Sequence, residues 1–125
     1  MGTNYYWHVD TCPTCHRPKD KFHIGKSSGG WTFSFQALKD FESPDGKEIR
    51  SVKDWKRAMR KTKGVIVDEY GQATTTRKFW ALVRQKKAKA GALIHATYVR
   101  QNDSYSLDRV WLDEEGNSFS EGEFT

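Results

Sequence analysis

Between His8 and Trp31 this chain carries both of its cysteines and three of its four histidines. The run opens His8-Val9-Asp10-Thr11-Cys12-Pro13-Thr14-Cys15-His16 and closes Phe22-His23-Ile24-Gly25-Lys26-Ser27-Ser28-Gly29-Gly30-Trp31. Borderline-soft zinc takes thiolate and imidazole ligands in a tetrahedron, and a Cys-x-x-Cys turn aims two sulfurs at one point. Pro13 presets φ inside that turn. The spacing predicts a structural zinc held by Cys12, Cys15 and His23, the last on the following strand. The fourth ligand is either His8 on the preceding strand or His16. Adjacent Cys15 and His16 would strain to reach one ion, which favours His8. The knuckle then spans 8–23 and is pinned to its own hairpin.

Two other chemistries share these residues. Cys12-Pro13-Thr14-Cys15-His16 matches the haem-attachment pattern, which requires export. The opening Met1-Gly2-Thr3-Asn4-Tyr5-Tyr6-Trp7 shows no basic region followed by an apolar stretch, so a leader is not expected. A redox dithiol should open a helix whose N-terminus lowers the thiol pKa. Pro18, in the succeeding His16-Arg17-Pro18-Lys19-Asp20, argues against a helix there.

At 125 residues the chain is long enough for one domain, 1–125, with a modest core. Aromatic residues make up 14% of it, which argues against disorder despite a mean hydropathy of −0.84. No apolar run approaches a membrane span, so no membrane partner is expected, and a cytoplasmic protein with reduced thiols is the default. The formal net charge is +5. The basic residues concentrate in 47–63 and 77–89, and the acidic ones in 113–123, a licence for nucleic-acid or acidic partners.

Periodicity predicts an α+β fold: an antiparallel sheet, two helices and an N-terminal zinc knuckle near one edge. Strands are expected at 4–9, 21–26 and 31–35, where Trp31, Phe33 and Phe35 alternate with small polar residues. Ser43-Pro44-Asp45-Gly46 reads as a turn. Ser51 and Asp54 have capping-box spacing, which opens a helix near 51–62 with Val52, Trp55 and Met59 on one face and Gly64 as its stop. Val65-Ile66-Val67 suits a short buried strand. A second helix near 75–89 carries Phe79, Leu82 and Val83, with Trp80 extending the apolar stripe. A hairpin is expected over 92–112, and a short edge strand through Phe119.

Several motifs lose on inspection. Gly25-Lys26-Ser27 resembles the end of a phosphate-binding loop, but Asp20 stands where the first glycine belongs. His8-Val9-Asp10 is a near miss to the H-x-E of zinc deaminases. His95 sits in an apolar strand and reads as structural. Asp68 and Glu69 are adjacent on a strand and point apart. Nothing specifies an active site, so catalysis is not expected; a zinc hydrolase or a Cys-x-x-Cys oxidoreductase are the enzymatic alternatives. Arg50, Lys53, Lys56, Arg57, Arg60 and Lys61 cover the first helix outside its apolar face, a candidate surface for DNA or RNA.

Taken together, Met1-Gly2-Thr3-Asn4-Tyr5-Tyr6, the Cys-x-x-Cys, His23-Ile24-Gly25-Lys26-Ser27-Ser28-Gly29-Gly30-Trp31 and Asp68-Glu69-Tyr70-Gly71 resemble a group of small uncharacterised bacteriophage-encoded proteins. The resemblance covers roughly the first three-fifths of the chain and implies a phage origin without an assigned activity. By analogy, a zinc-stabilised accessory protein that binds a host macromolecule, a host protein in the first instance, is the expectation. Its partner surface is expected at Lys26, Ser27 and Ser28, read as a permissive loop between two strands.

Overall fold

The computed structural model describes residues 2–9, 20–28, 32–88 and 110–121. Cys12, Cys15, His16, Trp31 and His95 lie outside these, as does most of the hairpin expected over 92–112. Seven strands form one sheet: β1 (Gly2–Val9), β2 (Asp20–Ser28), β3 (Ser34–Gln36), β4 (Gly64–Asp68), β5 (Ala73–Thr74), β6 (Val110–Leu112) and β7 (Ser118–Ser120). Two helices, α1 (Val52–Lys61) and α2 (Thr76–Ala88), complete an α+β fold. The strand order is β5-β4-β1-β2-β3-β7-β6.

The sheet is mixed rather than antiparallel, because β3 and β7 pair in parallel, Phe35 opposite Phe119. Parallel neighbours require a crossover, and the chain between β3 and β7 contains both helices. The tail strand through Phe119 is not an edge strand either: β7 lies between β3 and β6, and Phe119 is buried. Strand β3 departs from the half-buried pattern, since Thr32 to Ala37 are buried on both faces. The hairpin of β1 and β2 occupies the middle of the sheet, not an edge, and Val9 pairs with Asp20 at the end where the two strands are connected.

Both helices lie on the sheet face that carries Trp7, Ile24 and Phe35. Ser51 caps α1, its Oγ accepting from Asp54 N at 3.2 Å. The reciprocal bond goes one residue further back, from Arg50 N to Asp54 Oδ2. Asp113 Oδ2 accepts from Val52 N at 2.9 Å, which places negative charge at the helix N-terminus. Val52, Trp55, Ala58 and Met59 form the buried stripe, and Trp55 Nε1 donates to the Gln36 carbonyl at 3.0 Å. The other end is fixed by Thr62, whose hydroxyl donates to Ala58 O and accepts from Trp7 Nε1 at 2.9 Å. The helix thus ends at Lys61 by this cap. Gly64, which the sequence suggests as its stop, is instead the first residue of β4.

On α2, Phe79 meets Tyr5 and Phe33 edge-on, with Phe33 at 5.2 Å, while Trp80 stacks on Phe35 at 5.9 Å. Burial of each such side chain contributes about 1.5–3 kcal/mol, more than ring orientation adds. The turn at Ser43-Pro44-Asp45-Gly46 forms with Gly46 at φ 74°, a left-handed conformation that suits glycine.

Gly25 shows how tightly β2 and β3 approach. A Cβ there would collide with the Ser34 carbonyl and with the Phe33 ring. Gly25→Ala is expected to destabilise the fold by about 1–3 kcal/mol through overpacking. Urea denaturation followed by tryptophan emission measures it, and a midpoint equal to wild type would show that β2 and β3 pack less closely.

Candidate functional site

Two surfaces concentrate functional side chains. The first is the outer face of the central hairpin. Alternation on β1 and β2 sends Trp7 and Ile24 inward, and leaves Asn4, Tyr6, His8, Lys21 and His23 together on the opposite face. Tyr6 lies opposite His23 with ring centroids 5.1 Å apart, and its centroid is 6.4 Å from that of His8. The Lys21 ammonium sits 4.6 Å from the centroid of Tyr6. His23 Nε2 bonds Asn4 Oδ1 at 2.9 Å, while the other end of that carboxamide donates to Glu69 Oε1. An oxygen facing Nε2 makes that nitrogen the protonated one and leaves Nδ1 as the acceptor, the arrangement common behind metal-bound histidines.

His8 lies one residue from the Val9–Asp20 pair that ends the hairpin, just where the segment with Cys12 and Cys15 departs. Burial, and then the charge of Lys21, lowers the His8 pKa and favours the neutral imidazole a metal requires. Both histidines named as ligands therefore share one face, at different depths along the strand. Among the described residues no three His, Cys, Asp or Glu side chains converge on a metal position.

Lys26, Ser27 and Ser28 do not form a loop. They continue β2, where Lys26 pairs with Asn4 on one side and with Ser34 on the other, and Ser27 pairs with Thr3. Ser27 Oγ accepts from Lys86 Nζ at 3.0 Å. All three are paired toward β1 and Lys26 toward β3 as well, so the segment is strand and not the permissive loop expected from its composition.

The second surface lies between the helices. Val52 shares a recess with Val83 and Arg84, Lys56 with Trp80, and Met59 and Arg60 with Thr76. The helices therefore run antiparallel. Lys53, Lys56 and Arg60 recur at helical spacing on α1, and Arg77, Trp80 and Arg84 do so on α2. Helix α2 carries five cations and no carboxylate, and α1 five cations against Asp54 alone.

Not all the basic residues of the first helix are available. Arg57 reaches Asp45 at 2.9 Å, Asp54 at 2.8 Å and the Glu48 carbonyl. Arg50, which precedes the helix, pairs with Glu121 and lies 3.9 Å over the Trp111 ring. These two tie loops to the fold. Among the described residues, no carboxylate pairs with Lys53, Lys56, Arg60, Lys61, Arg77, Lys78 or Arg84. The sequence marks 77–89 as basic without singling out its residues; the spacing of Arg77, Trp80 and Arg84 along α2 is the signal that does so.

No protein-family model, curated protein or solved structure matches this chain. Among the described residues no helix is long and apolar enough to cross a membrane.

The Asp45–Arg57 contact carries a pH signature. Burial alone would raise the Asp45 carboxyl, but hydrogen bonds from Arg57, Lys47 N and Ser43, with the guanidinium charge, hold it below its ordinary 3.8. A depressed carboxylate stabilises the fold above its unfolded value, and the effect is lost as pH falls through the folded value. Asp45→Asn is expected to cost about 1–3 kcal/mol at pH 7. Denaturation midpoints of the two proteins should converge below pH 3.8. A difference that persists unchanged into acid would show that packing, not charge, is responsible.

Proposed function

We propose that this is a small phage accessory protein, clipped by zinc at its central hairpin, that binds a host macromolecule through the α1–α2 face, and that the macromolecule is nucleic acid. One observation carries the reading: cations without carboxylate partners among the described residues recur along both helices, and between the helices Lys56 and Arg60 line a recess with Met59, Thr76 and Trp80. Uncompensated lysine and arginine rows attract phosphates, whose condensed counterions are released on binding. Arg50 and Arg57 fall outside this surface, and Lys53, Lys56, Arg60 and Lys61 remain from the basic set of the first helix.

Zinc in this reading is structural. Cys12, Cys15, His23 and His8 would hold it, with Asn4 orienting the His23 ring from behind. The ion would clasp the loop end of the hairpin, and its binding energy would count as folding energy. A host-protein partner at Lys26, Ser27 and Ser28 finds less support, because these residues continue strand β2 and Lys26 is paired on both sides.

Two measurements test these statements. Affinity for an oligonucleotide should fall steeply with salt, and Lys56→Glu with Arg60→Glu should reduce the log–log salt slope by about 2 while melting stays near wild type. Absence of any complex at low salt would leave the two rows as solubilising surface. Elemental analysis of protein purified without added metal should find one zinc per chain, and Cys12→Ser should lose both metal and thermal stability. A fully folded, metal-free wild-type protein would end the zinc reading.

A further inference from the structure

Phosphate binding does not account for the tryptophan in the middle of the cation rows. Of the described tryptophans, Trp7, Trp55 and Trp111 donate their indole N–H to Thr62 Oγ1, Gln36 O and Arg50 O. Among the described residues, the indole N–H of Trp80 meets no hydrogen-bond partner. Its ring is held from the core side by Phe35, 5.9 Å away and inclined by 22°, and at 4.9 Å by the edge-on Phe79. Toward the groove, the Lys56 ammonium lies 5.1 Å from the ring centroid. The ring is thus rigidly presented and part-buried, and among the described residues a flexible charged side chain lies over its groove side.

We infer that the groove accepts single-stranded nucleic acid, with one unpaired base against the Trp80 ring and with Lys56 and Arg60 on the adjoining phosphates. The inference rests on the nucleic-acid reading of this face and narrows it. A duplex buries the faces of its bases and offers an indole nothing to stack on, whereas an unpaired base presents its whole π-face. The recess beside Trp80 has the mixed lining such a nucleotide needs: Met59 as apolar floor, the Thr76 hydroxyl for a base edge, and two cations for the backbone. It contains no carboxylate. The recess on the far side of Lys56 includes Glu115, which repels phosphate, so the backbone keeps to the Arg60 side.

Relative magnitudes favour the exchange. An exposed cation–π contact of the Lys56 type is worth about two- to fivefold in an equilibrium. A base stacked on an aromatic side chain is worth about five- to 150-fold. A base therefore displaces the ammonium from the ring, and the lysine head is left beside the phosphate that arrives with the base.

Fluorescence anisotropy tests this with labelled oligothymidylate, oligouridylate and a DNA duplex, each of about 12 nucleotides or base pairs, at low salt. The single strands should bind at least about tenfold more tightly than the duplex, and the tighter of the two assigns DNA or RNA. Trp80→Leu should lose about tenfold in single-strand affinity and leave duplex affinity unchanged, while Trp80→Phe, which keeps a stacking ring and its packing on Phe35, should lose less. Wild-type tryptophan emission should be quenched by the unlabelled single strand, and that component should vanish in Trp80→Phe, so the test stands even if Trp80→Leu fails to fold. Duplex binding as tight as single-strand binding, or no effect of either substitution, overturns the inference while leaving the nucleic-acid reading intact. Absence of binding to all three oligonucleotides overturns both.

Discussion

Phe35 is the contact on which the rest of this structure depends. Its ring meets Phe33 at 4.6 Å, Phe119 at 5.1 Å and Trp80 at 5.9 Å, so one fully buried side chain joins its own strand, the parallel neighbour β7 and helix α2. Trp111 extends the stack beyond Phe119, and Arg50 lies on Trp111 while holding Glu121. The C-terminal strands are thereby fastened to the approach to α1. Burial supplies most of the energy in this column, because Phe33, Phe35 and Phe119 lose nearly all their water contact while the stacking geometry adds less. The same column sets the orientation of Trp80, so the surface proposed for binding is held by the core.

Charge alone is a poor guide to which basic residues face a partner. Helix α1 has three faces at 3.6-residue spacing. Val52, Trp55, Ala58 and Met59 enter the core; Asp54 and Arg57 clamp the 43–48 loop through Asp45; Lys56 and Arg60 border the groove, with Lys53 exposed a turn earlier. Arg57 and Arg60 are three residues apart and differ wholly in role. The difference lies in Asp45, a carboxylate brought up by a turn that precedes the helix and buried beneath the guanidinium. Removal of that pairing would not add a binding cation so much as leave a charge half-buried without its partner.

The central hairpin combines rigidity with chemistry in a similar way. Its inner face supplies Trp7 and Ile24 to the core, and its outer face gathers Asn4, Tyr6, His8, Lys21 and His23. The carboxamide of Asn4 links His23 to Glu69 beyond β4, so the tautomer of the ring is set from a neighbouring strand. A metal ion at the end of this hairpin would act on the middle of the sheet, where β1 and β2 together join β4 to β3.

What the sequence determined by itself is local. The Ser51 cap, the apolar stripe of α1, the turn at Gly46, the alternation of Trp7 and Tyr6 and the α+β class all follow from backbone geometry and from bonds that span four residues or fewer. The tertiary structure decided the rest. Nothing near Ser118–Ser120 says that it inserts beside β3, nor near Arg50 that its carboxylate is Glu121, nor near Lys26 that two strands flank it. Trp80 reads as core in the 3.6-residue pattern, and only the position of α1 beside α2 leaves one side of its ring to Lys56 and the groove. Short-range patterns record what a segment is able to form; which partner it meets depends on how the whole chain buries its rings, and that is fixed only when distant segments compete for the same core.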